Sequence, residues 1–204
     1  MNQTVYLVDD DESIITALRN LLSSEGYSVS AFMSPDEFLS QPQYHTPSCL
    51  IVDLNMPGPD GFDVSHSLTA RGYTIPTIFL TGFGTIPITV RAMKAGAFEF
   101  LTKPVMPDEL LNVVRDALQL AEKSMTASQE KVGLTGRFHS LTPREKELMQ
   151  WVTRGLLNKQ IAAEMGISEI TAKVHKRRVM DKMQVRSVSE LVRAAEKLNL
   201  FQDE

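Results

Sequence analysis

The chain has 204 residues, 43% hydrophobic and 23% charged, a composition that suits one or two globular domains with a buried core. No apolar run approaches the roughly 20 residues of a membrane-spanning helix. The N-terminal MNQTVYLVDD lacks the basic segment of a secretory leader. The lone Cys49 cannot form an internal disulfide, so a reducing, cytoplasmic setting with no membrane partner is expected. The net charge of −4 hides an asymmetry: residues 1–139 hold 9 Lys/Arg against 16 Asp/Glu, and residues 140–199 hold 12 against 7. A basic back half suits contact with a polyanion, although chance clustering of solvated charge gives the same pattern.

Five short apolar runs punctuate the first half: VYLVD (5–9), SVSAF (28–32), CLIVDL (49–54), TIFLTG (77–82) and FEFLTK (98–103). They are mostly non-alternating, as in strands covered on both faces. Between the first two, Ile14, Ile15, Leu18, Leu21 and Leu22 repeat at helical spacing, with Gly26 as the stop. SPDEFL starts a helix, with Ser34 as N-cap, Pro35 at the first position and Glu37 at the third. ITVRAMKAGA and PDELLNVVRDALQLAEK supply two more helices. Strands alternating with helices predict an α/β doubly wound, five-stranded parallel sheet over residues 1–120. Residues 121–140, AEKSMTASQEKVGLTGRFHS, lose the apolar repeat and end with Gly133 and Gly136. They read as an interdomain linker whose first half can continue the preceding helix. Residues 141–204 show no strand pattern and predict a small all-α domain of four helices.

Ligands of an open parallel sheet bind beyond the C-terminal ends of its strands. The first strand ends at Asp9 and Asp10, the third at Asp53, the fourth at Thr81 and the fifth at Lys103. If the first and third strands are neighbours, these side chains converge on one rim. A cation among the carboxylates would make their proximity tolerable, and an oxygen-rich donor set is Mg²⁺ chemistry, with Mn²⁺ the alternative. Asp53 could then attack a phosphoryl donor, Asp9, Asp10 and the Asn55 backbone carbonyl could hold the metal, and Lys103 and Thr81 could bind phosphoryl oxygens. Any one Asp at a strand end is most often a turn or cap residue. The coincidence of five strand-end positions is what carries the reading.

VDDDES, VDLNMPGPDG, TG and AFEFLTKP resemble the receiver domain of bacterial two-component response regulators, over residues 4 to about 120. The resemblance implies a flavodoxin-like fold, Asp53 as phosphoacceptor, Asp9 and Asp10 in the metal pocket, Thr81 as switch hydroxyl, Lys103 as the pocket lysine and Phe100 as switch aromatic. Asp11 and Glu12 are assigned to the start of the first helix. Phosphohydrolases with an aspartate nucleophile carry a general acid two residues later. Asn55 occupies that position here and cannot serve as one, which favours a persistent phosphoryl group over a turnover enzyme.

In the basic half, LTPREKEL starts a helix with Thr142 as cap, Pro143 next and Glu145 at the third position. Leu148, Trp151 and Val152 make its apolar face, and Gly155 ends it. NKQIAAEM follows with Asn158 as cap, Gly166 turns the chain, and Ser168 caps a further helix. Helix, short turn, helix is the helix-turn-helix outline. The second of these helices is expected to face inward through Ile170, Val174 or Val179, and Met183. Lys173, His175, Lys176, Arg177, Arg178 and Lys182 are expected outward, and a solvated basic face is the plain alternative.

The segment NKQIAAEMGISEITAKVHKRRVMDKM is similar to the LuxR-type helix-turn-helix, departing at Ala172, where a β-branched residue is more usual. The resemblance implies that Lys173, Val174 and Arg177 face base edges, that Lys176, Arg178 and Lys159 meet phosphates, and that SVSELVRAAEKL is a dimerising helix on DNA. Together the two resemblances place the chain in the FixJ-like or NarL-like response regulators. They imply a sensor histidine kinase as phosphoryl donor, a homodimer on phosphorylation, double-stranded promoter DNA as target and RNA polymerase as a further partner. A regulator that works without phosphorylation, a Mg²⁺-dependent phosphohydrolase and a module docking an acidic protein are the rivals.

Overall fold

The computed structural model describes residues 3–41, 46–82 and 84–200. The five apolar runs are strands: β1 (Thr4–Val8), β2 (Ser28–Phe32), β3 (Ser48–Asp53), β4 (Thr77–Thr81) and β5 (Glu99–Thr102). All neighbouring strands pair in parallel, in the order β2-β1-β3-β4-β5. The first and third strands are therefore adjacent, which meets the condition for a convergent rim. The helices are α1 (Glu12–Ser24), α2 (Pro35–Leu39), α3 (Gly61–Ala70), α4 (Ile86–Lys94), α5 (Pro107–His139), α6 (Pro143–Thr153), α7 (Asn158–Met165), α8 (Glu169–Met183) and α9 (Val188–Lys197).

Strand alternation divides the sheet into two apolar faces. Leu7, Ile51 and Leu80 pack with Leu18 and Leu22 of α1 and Val114 of α5. Val8, Val52 and Phe79 pack with Phe38 of α2, Phe62 of α3 and Ala92 of α4. Both faces are covered, which is why the runs carry so little polar alternation. Cys49 is fully buried, and burial pushes its thiol pKa up to about 12.

The chain divides into two units, Met1–Met125 and Thr126–Glu204. Residues 121–139 are helical throughout, as part of α5. Gly133 and Gly136 do not have positive φ, so neither acts as a helix stop. The good helix formers Ala, Glu, Lys, Met, Gln, Leu and Arg are spread through this stretch, and their propensity offsets the two glycines. Leu134 and Phe138 of α5 pack on the core of the second unit.

That second core is built by α6–α9, around Leu148, Ile161, Val179, Met183 and Leu191. The Thr142–Glu145 capping box forms as expected, and Ser168 accepts from Thr171 N–H at 3.1 Å. The cap of α7 differs. Leu157, not Asn158, is the N-cap, and its N–H donates to Gln160 Oε1 at 2.8 Å. The inward face of α8 also differs: Ile170 and Val174 are 75% and 46% exposed, whereas Ala172, Val179 and Met183 are buried. The small Ala172 lets α8 approach closely, and Ile170 and Val174 fall on the opposite side of the helix.

Lys182 is exposed, as expected, and its Nζ donates to Glu145 Oε2 at 2.7 Å. Burial works to raise the Glu145 pKa, but the Lys182 ammonium and the Thr142 N–H outweigh it and hold it below the ordinary value. A depressed carboxylate pKa adds stability that is present above the unfolded-state pKa and lost as pH falls through the folded one. Glu145→Gln is therefore expected to cost about 1–2 kcal/mol at pH 7. It should also reduce the acid-induced loss of stability below about pH 4.5. Melting followed by fluorescence of Trp151, the single tryptophan and a residue of α6, reads this unit directly.

Candidate functional site

At the C-terminal rim of the sheet, Asp9 follows β1 and Asp53 closes β3; they are only 3% and 4% exposed. Lys103, just past β5, lies between them, with Nζ 2.7 Å from Asp9 Oδ2 and 2.9 Å from Asp53 Oδ1. The remaining carboxylate oxygens are held by backbone donors: Asp11 N–H to Asp9 Oδ1 at 3.0 Å and Asn55 N–H to Asp53 Oδ2 at 2.9 Å. Asn55 Nδ2 donates to Thr81 Oγ1 at 3.3 Å, and Thr81 is fully buried at the end of β4.

Electrostatics follow from this packing. Burial raises the Asp9 pKa, against the opposing hydrogen bond from Lys103. Burial lowers the Lys103 pKa, but hydrogen bonds to Asp9 and Asp53 outweigh it and leave the ammonium above its ordinary value. Asp10 is exposed, at the open side of the site. One carboxylate oxygen from each of Asp9, Asp10 and Asp53 lies within 4.8 Å of the others, a hard-oxygen set able to hold a divalent cation. Asp11 stands apart as the N-cap of α1, its side chain accepting from Ser13 and Ile14 N–H, and Glu12 begins the helix.

The loop Met56–Asp60 leads into α3, which Asp60 and Asp63 cap reciprocally. A Cβ on Gly61 would lie 2.6 Å from the Asp53 backbone oxygen. Only glycine lets α3 start this close to the strand end that carries Asp53. In the β4–α4 connection, a Cβ on Gly84 would meet Thr102 Cγ2 at 2.4 Å and lie 3.6 Å from Phe100 Cε1. Phe100 itself is half-buried and is the register partner of Phe79, on the α3/α4 face.

In the second unit, Lys173, Arg177 and Arg178 of α8 and Lys159 of α7 are exposed, while Lys176 is half-buried. Lys173 pairs with Glu169 at 3.0 Å and Arg177 with Asp181 at 4.0 Å, both one turn along the same helix. His175, expected outward, is half-buried with its Nδ1 turned away from solvent.

Residues 5–115 match the family of response regulator receiver domains, and residues 139–195 match the bacterial regulatory proteins of the luxR family. The response regulator protein TodT of Pseudomonas putida is 43% identical over 95% of this chain and 86% of its own length. The transcriptional regulatory protein FixJ of Bradyrhizobium diazoefficiens is 36% identical over 98% of this chain and 97% of its own. Among solved structures, the response regulator StyR is 45% identical, with a TM-score of 0.87 over 97% of this chain and 100% of that one. Full-length FixJ from B. japonicum is 36% identical, with a TM-score of 0.58 over 96% and 97% of the two chains.

The chain belongs to the response regulators. It joins a flavodoxin-like receiver domain to a LuxR-type helix-turn-helix domain, the composition of a two-component transcription factor and not of a turnover enzyme. No helix among the described residues of this response regulator is long and apolar enough to cross a membrane.

Sequence reasoning did not single out Gly61 or Gly84, nor the Glu145–Lys182 pair. The glycines are recognisable only from the backbone they approach, and the ion pair spans a sequence separation with no local signal. Gly61→Ala is expected to destabilise the receiver by about 1–3 kcal/mol through overpacking. Gly133→Ala, where a Cβ meets nothing within 4 Å in mid-helix, should instead stabilise by about 1 kcal/mol. Urea unfolding of the two variants, followed by circular dichroism, should move in opposite directions.

Proposed function

We propose that this response regulator is phosphorylated on Asp53 by a sensor histidine kinase in the cytoplasm and thereby gains affinity for promoter DNA. The observation that carries the reading is the Lys103 ammonium held between Asp9 and Asp53 at the strand ends. An Asp53 carboxylate oxygen attacks phosphorus, the P–N bond to the donor imidazole breaks, and the imidazole leaves with its nitrogen lone pair. Lys103, already within hydrogen-bond reach of Asp53, is placed to accompany the incoming phosphoryl oxygens. Asp9, Asp10 and Asp53, with the Asn55 backbone carbonyl, are the residues that would hold Mg²⁺, or Mn²⁺, and the ion supplies compensation for the phosphoryl charge.

The Thr81 hydroxyl acts as the switch, leaving Asn55 for a phosphoryl oxygen, and Phe100 on the same face of the sheet follows. The receiver role belongs to residues 1–120, the connecting role to 121–140 and the DNA-binding role to 141–204. Lys173, Val174 and Arg177 meet base edges, and Lys176, Arg178 and Lys159 meet phosphates. Phosphorylation favours a homodimer, which turns two weak half-site contacts into one bivalent event, and the bound dimer engages RNA polymerase.

A radiolabelled phosphoryl donor is expected to label the wild type and not Asp53→Asn; label retained on the variant under native conditions sinks the assignment. With Mg²⁺ and beryllofluoride, the wild type should dimerise in sedimentation while Asp53→Asn stays unchanged. Lys173→Ala or Arg177→Ala should weaken specific binding by about 1–3 kcal/mol, more than non-specific binding. Titrations on specific and random duplexes at fixed salt compare the two, and equal losses would move these residues to the phosphate class.

A further inference from the structure

Helix α8 carries an apolar feature that its fold does not require. Its core side is formed by Ala172, Val179 and Met183, all buried. On the opposite side, Ile170, Lys173, Val174 and Arg177 follow one another at i, i+3, i+4 and i+7, a single line along the helix. Ile170 is 75% exposed and Val174 46%. A single exposed apolar side chain is ordinary. Two β-branched ones on successive turns contribute neither packing nor helix propensity at these positions. They alternate along this line with the cations of Lys173 and Arg177, each paired with a carboxylate of the same helix.

We propose that Ile170 is a specificity-determining residue of this regulator, reading the C5-methyl group of a thymine in the major groove. The proposal rests on the reading of α8 as the base-contacting helix. Its position supports this: Ile170 is the second residue of α8, after the Ser168 cap, and the N-terminal residues of a recognition helix are those that reach base edges. Among the groups that base pairs present in the major groove, the thymine methyl is the apolar one. An aliphatic side chain with no donor or acceptor matches it and leaves exposed base polar groups unsatisfied elsewhere. The flanking Lys173 and Arg177 supply the charge complementarity that brings this face to DNA. Ile170 and Val174 are about 6 Å apart as i, i+4 neighbours, roughly two base-pair steps of 3.4 Å. They therefore meet different thymines.

The test uses the full chain with Mg²⁺ and beryllofluoride. Selection from a random duplex library defines a preferred site, and each thymine in it is then replaced singly by deoxyuridine, which deletes only the methyl group. Two thymines one or two steps apart are expected to show about a fourfold loss of affinity, the effect of one buried methyl. Ile170→Ala should make one of them indifferent to the replacement while the other keeps its effect, and Ile170→Val should retain both. An unaltered Trp151 melt shows that the variants are folded. A selected site without methyl-sensitive thymines overturns the proposal, as does an Ile170→Ala protein with the full wild-type pattern. Failure to select any site from the library would overturn the DNA-binding reading itself, and the proposal with it.

Discussion

Asp9 and Asp53 are buried on adjacent strands, and two carboxylates this close in a low-dielectric rim repel one another unless a cation lies between them. The Lys103 ammonium fills that role from beyond β5, across the width of β4. The strand order is thus a condition of the site's electrostatics: only with β1 beside β3, and β5 two strands further, do all three side chains reach one point. The backbone N–H groups of Asp11 and Asn55 take up the outer oxygens, so each buried carboxylate is bonded on both sides. Removing Lys103 from such a cluster would leave two buried carboxylates uncompensated.

The helical domain uses the same device for a different end. Glu145 is 3% exposed at the start of α6 and is satisfied by its capping role and by Lys182 from the last turn of α8. One lysine of the basic helix thereby ties α8 to the start of α6. The basic residues nearer the N-terminal half of α8 have only exposed partners on their own helix, Lys173 with Glu169 and Arg177 with Asp181. Exposed pairs of this kind contribute little and exchange readily with another anion. The burial of Glu145 therefore sets Lys182 apart from the cations whose partners are exposed.

The receiver was legible because each strand is an apolar run that stops on a chemically distinct residue, so sequence alone locates both the strand and its end. The caps at Ser34, Thr142 and Ser168 were legible for a similar reason, since a small polar residue before an apolar repeat has one favoured use. The face of α8 was not. Hydrophobicity ranked Ile170 and Val174 above Ala172 for burial, but close helix packing selects the small residue and leaves the branched ones on the exposed side. The latter half of α5 was legible only as a linker able to be helical, because its mostly exposed residues show no apolar period. Gly61 escaped because its constraint is the Asp53 carbonyl, which lies next to it in space and eight residues away in sequence.

A contiguous set of contacts leads from the rim carboxylate toward the α3/α4 face. Asp53 holds the Asn55 N–H, the Asn55 amide reaches the Thr81 hydroxyl, and the Thr81 carbonyl accepts from Lys103 N–H at 2.8 Å. Thr102, opposite Thr81 in the ladder, and Phe100 both lie against Gly84 in the loop before α4. Contiguity by itself transmits nothing, since coupling requires a member with two stable arrangements. The charge cluster at Asp53 is not such a member, since each of its carboxylate oxygens is already bonded. Lys103 and Asp53 are 2.9 Å apart, whereas the Asn55 amide reaches Thr81 Oγ1 at 3.3 Å. The half-buried Lys103 cannot leave this cluster without stranding a carboxylate, so the charge cluster is the rigid part of the rim.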